Sequence, residues 1–122
     1  MLFGISGCEW PLAIGACSDS VEPGIIVEIR DAHTGIPLAG LARGVVRDGA
    51  FVDSLRPHSF LRSDDIEGSM LSRSAANERA GEYTVEIQRH GYRRWIATDV
   101  RVRRGGCHVK TRQIRAALVP VA

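Results

Sequence analysis

Apolar and polar residues alternate one for one along several short stretches of this chain. The longest spans residues 81–88, where Tyr83, Val85 and Ile87 interleave with Thr84, Glu86 and Gln88. That is the period of a strand with one buried face, and its β-branched and aromatic residues suit a pleated surface. His90-Gly91 predicts a turn, because glycine reaches positive φ without a Cβ clash. Residues 92–103 resume the pattern, with Ile96, Val100 and Val102 expected inward. A first strand is predicted over 25–30, with Ile25, Val27 and Ile29 on one face. Asp31-Ala32-His33-Thr34-Gly35 closes it as a turn in which the aspartate bonds nearby backbone. Pro37 cannot donate to a ladder, so the next pairing begins after it. Asp48-Gly49, between Val45-Val46 and Phe51-Val52, predicts a two-residue hairpin.

Residues 56–68, with Pro57, Asp64, Asp65 and Gly68, interrupt the rhythm and predict an irregular surface loop anchored by Phe60, Leu61 and Ile66. A short edge strand is expected over 70–74 and a turn at Arg103-Arg104-Gly105-Gly106. The last strand is expected over 107–119. Its parity changes from Val109 and Thr111 to Ile114, Ala116 and Leu118, which predicts a bulge near Arg112 and Gln113. Helical periodicity and internal repeats are lacking. Seven short strands separated by turns predict an all-β, seven-stranded antiparallel sandwich with Greek-key connections.

A chain of 122 residues is enough for one such domain. Its net charge of +2 hides an asymmetry. From Arg89 onward nine basic residues face one acid, whereas the first 88 residues hold seven basic and thirteen acidic side chains. Two readings follow. Strands from opposite halves lie side by side and neutralise each other, or the basic half presents a polyanion-binding face. The candidates for such a face are Arg93, Arg94, Arg101, Arg103 and Lys110, with Arg112 and Arg115 expected beside Lys110 on a neighbouring strand and Tyr92 or Trp95 available to stack on a sugar or base.

Ile5-Ser6-Gly7-Cys8 resembles a bacterial lipobox, in which small residues precede the cysteine that is lipidated. The resemblance implies a truncated leader over residues 1–8, a lipid on Cys8, and a tether over 9–23 rich in Pro, Gly and small residues. It also implies a cell-envelope address, lipid-anchored or periplasmic. With Cys8 so used, Cys17 and Cys107 remain and pair by elimination, as expected outside the reducing cytosol.

A second resemblance covers residues 25–120. Residues 27–40 (VEIRDAHTGIPLAG) alternate apolar positions and then place Asp, a Thr-Gly turn and a Pro. Gly81-Glu82-Tyr83 ahead of Gly91-Tyr92, and Cys107-His108-Val109 ahead of Ala116-Ala117-Leu118-Val119-Pro120, complete the pattern. In this order they resemble carboxypeptidase regulatory-like domains, which have a transthyretin-like sandwich. The resemblance implies such a domain over residues 24–122, acting as an accessory module rather than an enzyme.

The chemistry-bearing residues agree with that expectation. His33, His58, His90 and His108 lack the paired spacing of a zinc site. No nucleophile elbow or phosphate-binding glycine loop is present. Hydroxyisourate hydrolases, also transthyretin-like, are the enzymatic alternative, but their Tyr-Arg-Gly-Ser ending is missing here. The sequence therefore predicts a non-catalytic envelope module without a cofactor. Its expected partner is an envelope protein or an acidic polysaccharide, with no nucleic acid and with membrane contact only through the lipid.

Overall fold

The computed structural model describes residues 17–61 and 67–121. The strands are β1 (Ile25–Asp31), β2 (Arg43–Asp48), β3 (Phe51–Ser54), β4 (Arg56–Phe60), β5 (Met70–Ala75), β6 (Gly81–Gln88), β7 (Trp95–Arg104), β8 (Val109–Lys110) and β9 (Arg112–Leu118). Single 3₁₀ turns occupy Ala39–Leu41 and Glu67–Ser69. The strands form a four-stranded sheet, β9-β1-β5-β4, and a five-stranded sheet, β3-β2-β6-β7-β8. Ile25, Val27, Ile29, Ala116 and Leu118 of the first join Val46, Tyr83, Val85, Ile87, Val100 and Val102 of the second in one buried cluster. The chain is thus all-β, with one core between two sheets.

Nine strands stand among the described residues where seven were expected. One additional strand is β4, which lies in the segment read as a loop. Pro57 is tolerated there because β4 is the edge of its sheet. The chain reaches it by turning a corner at buried Leu55, whose N–H donates to Gly44 O at 2.9 Å. β3 therefore ends in one sheet and β4 begins in the other. A second corner explains the parity change near the C-terminus. The chain breaks at Thr111, so β8 belongs to the five-stranded sheet and β9 to the four-stranded one. A change of sheet replaces the expected bulge at Arg112 and Gln113.

Two further corrections concern pairing. β9 runs parallel to β1, from Arg112↔Ile25 to Leu118↔Asp31, so that sheet is mixed rather than wholly antiparallel. β5 lies between β1 and β4, not at an edge.

The β6–β7 hairpin contains a bulge that moves the inward positions. Tyr83 pairs with Val100, but Val85 pairs with Ala97, leaving Thr98 and Asp99 opposite Thr84. Asp99 takes a left-handed φ of 57°, as a bulge requires of one residue. Val100 and Val102 remain inward, whereas the parity before the bulge turns Trp95 and Ala97 inward and leaves Ile96 49% exposed. At the β2–β3 hairpin the two turn residues are Gly49 and Ala50, one position later than Asp48-Gly49. Gly49, at φ 61°, supplies the positive dihedral.

Candidate functional site

Three of the five cations singled out in the sequence come together. Arg101 and Arg103 project from one face of β7 because they are two residues apart, and β8 lies beside them. Arg103 and Lys110 are direct cross-strand partners. With Thr111 and Arg112 these side chains line an open groove of about 290 Å³. Arg101 pairs with Glu82 on β6, and Arg112 Nη1 donates to Arg101 O at 3.3 Å. Among the described residues no carboxylate lies within ion-pair distance of Arg103, Lys110 or Arg112. Like charges placed directly opposite across a ladder repel, by a few tenths to about 1 kcal/mol. The groove therefore retains uncompensated positive charge at a place where the ladder alone would disfavour it.

Arg93 and Arg94 do not join this groove. They precede β7, at the far end of that strand, roughly 20–30 Å away at 3.3 Å per residue. Arg93 donates its backbone N–H to Val119 O, and Arg94 Nη1 reaches Glu86 at 3.3 Å. Arg112, expected on a strand beside Arg101 and Arg103, reaches the groove through the corner at Thr111.

Part of the charge asymmetry is neutralised between halves of the chain: Arg94–Glu86, Arg101–Glu82 and Arg115–Glu28 each join a cation from beyond residue 88 to an acid from before it.

A clasp holds the groove's flank in place. Cys17 and Cys107 form a disulfide with a Cα–Cα distance of 5.3 Å. Thr111 Oγ1 donates to Pro23 O at 2.7 Å and Arg112 N to Gly24 O at 2.8 Å, so the segment entering β1 lies against the β8–β9 corner. Glu78, in the β5–β6 turn at φ 53°, accepts from the backbone N–H of Glu22 at 3.0 Å and of Val109 at 3.3 Å. Its carboxyl is held below its ordinary pKa, chiefly by the Glu22 N–H, against an opposing contribution from burial and with help from His108 and Val109. Cys8, the expected lipidation site, lies outside the described residues.

The disulfide also brings the residues that follow its two cysteines together. His108 Nδ1 lies 2.5 Å from Glu78 Oε2, and His108 Nε2 lies 3.3 Å from Ser18 Oγ. This is the order of an acid–base–nucleophile chain, and no sequence motif announces it. The same contacts tie the segments that follow the two cysteines to the β5–β6 turn. Ser18 is exposed, its hydroxyl also engages Ser20 Oγ at 2.6 Å, and Ser20 in turn donates to Glu22.

His33 lies in the turn after β1, His58 on edge strand β4, His90 in the β6–β7 turn and His108 in the clasp. Among the described residues no three His, Cys, Asp or Glu side chains converge to hold a metal ion. No helix among the described residues is long and apolar enough to cross a membrane. The sequence matches no protein-family model and no curated protein.

Proposed function

We propose that this protein is a non-catalytic extracytoplasmic binding module of the transthyretin-like, carboxypeptidase regulatory-like kind, and that its ligand is an acidic polysaccharide lying in the β7–β8–β9 groove. The observation that carries this reading is the Arg103–Lys110 cross-strand pair, flanked by Arg101 and Arg112 and, among the described residues, without a carboxylate within ion-pair distance. An extended chain of carboxylates or sulfates supplies the countercharge that the fold omits. Strand-borne cations meet such a chain at regular spacing, and the disulfide fixes their flank.

An oxidising compartment fits the Cys17–Cys107 bond. A lipid on Cys8 would hold the module at the envelope surface. Cys8→Ser should then move the protein from the membrane to the soluble fraction, and unchanged partitioning excludes the anchor.

Polygalacturonate is a suitable probe for the groove. Wild-type protein should be retained on it, and Arg103→Glu combined with Lys110→Glu should abolish retention while leaving the fold intact. Equal retention of the variant removes the groove from the account. Non-catalysis is tested at Ser18. Wild type and Ser18→Ala should hydrolyse p-nitrophenyl acetate at the same background rate, whereas a serine-dependent excess would make the clasp an active site.

A further inference from the structure

At the end of the five-stranded sheet remote from the groove, a second set of cations gathers around a cavity. Arg43 opens β2, Arg89 and His90 follow β6, and Arg94 precedes β7. β6 lies between β2 and β7, and Arg43 is the register partner of Gln88, so the sheet order alone brings these segments together. Arg43, Arg89, His90 and Arg94 line one open cavity of about 390 Å³, alongside Leu41 and Tyr92. Among the described residues no carboxylate lines it. Glu86 meets Arg94 at 3.3 Å, while Arg43 and Arg89 have no ion-pair partner among the described residues.

Arg89 is half-buried, and its Nε–H is closed off from solvent, so its terminal N–H groups are the donors open to the cavity. The guanidinium sits 5.7 Å from the centre of the Tyr92 ring. Tyr92 is itself fixed, since its hydroxyl donates to Asp31 Oδ2 at 2.7 Å and its backbone bridges to Pro120. The arginine therefore rests on a rigid platform.

We propose that this cavity binds a compact tetrahedral oxyanion, the phosphate or sulfate group of a small molecule. Guanidinium forks donate paired N–H groups that match tetrahedral oxyanions, and each such bond is charge-assisted. Three arginines, one from the start of β2 and two from the β6–β7 connection, with an imidazole beside them, can surround one such group. The volume also leaves room for a small body attached to it. The site is separate from the polysaccharide groove and rests on different residues.

The test uses the full, disulfide-bonded chain. Inorganic phosphate and sodium sulfate are titrated in parallel at constant ionic strength, with chloride as control, while backbone amide NMR shifts are followed. Saturable shifts confined to residues 41–43 and 88–94 are expected with at least one of the two anions, and the anion that responds identifies the group. Arg43→Gln should weaken binding roughly tenfold or more, because a charge-assisted bond is lost. Arg103→Gln should leave it unchanged. Arg43 is exposed at a strand start, so its replacement tests the site even if Arg89→Gln fails to fold. The absence of saturation with both anions, or an equal loss in Arg103→Gln, would overturn the proposal.

Discussion

Asp31 shows how much one side chain can organise. One carboxylate oxygen accepts from His33 N at 2.7 Å and Thr34 N at 2.8 Å, closing the turn after β1, while the other accepts from the Tyr92 hydroxyl at 2.7 Å. Led by the Thr34 N–H, then by Tyr92 and His33, these bonds lower its pKa from 3.8 to about 2 despite the cost of desolvation. A carboxylate depressed by folding stabilises the protein above its unfolded pKa, and that contribution is lost as pH falls through the folded value. Folding stability should therefore decline as pH drops from 3.8 towards 2. Asp31→Asn should be less stable at neutral pH and should lose that part of the slope, as urea unfolding at stepped pH would show. A parallel pH profile in the variant would remove Asp31 from this role. The sequence disclosed the Asp-led turn, but not the tyrosine 61 positions away that completes it.

At the scale of elements, what was legible depended on whether a rule acts locally. The alternation of Tyr83, Val85 and Ile87 is enforced by the pleat, and all three are buried. Ile96 was misplaced because a bulge reverses parity, and Asp99 carries no local mark of the left-handed φ it adopts. Leu55 and Thr111, where strands change sheets, are equally silent in sequence. The same limit governs the sites. Arg101 and Arg103 share a face by parity alone, whereas Arg43 meets Arg94 only because β2 pairs with β6. The bulge yields a test of its own. Asp99→Gly should fold at least as stably as wild type, while Asp99→Val, which places a β-branched residue in the left-handed region, should lose about 1–2 kcal/mol. Chemical denaturation compares them, and equal stability of all three would mean that the bulge is absent in solution.

For the molecule as a whole, the disulfide is the longest-range constraint and the frame of the groove. It joins residues 90 apart, and closing a loop of that length restricts the unfolded chain by about 4–5 kcal/mol in the chain-entropy picture, an upper figure. Reduction should lower stability substantially, and alkylation without prior reductant should leave Cys17 and Cys107 unlabelled. Labelling of both in protein exported to an oxidising compartment would contradict the structure. Whether an acidic polymer fills the β7–β8–β9 groove is decided by the salt dependence of binding. Affinity for polygalacturonate is measured by calorimetry over a series of NaCl concentrations for wild type and for Arg103→Gln with Lys110→Gln. Counterion release predicts that log K falls linearly with log salt in the wild type, and that the double variant flattens the slope by roughly two. A slope indifferent to salt, or one that the two substitutions leave unchanged, would contradict the account.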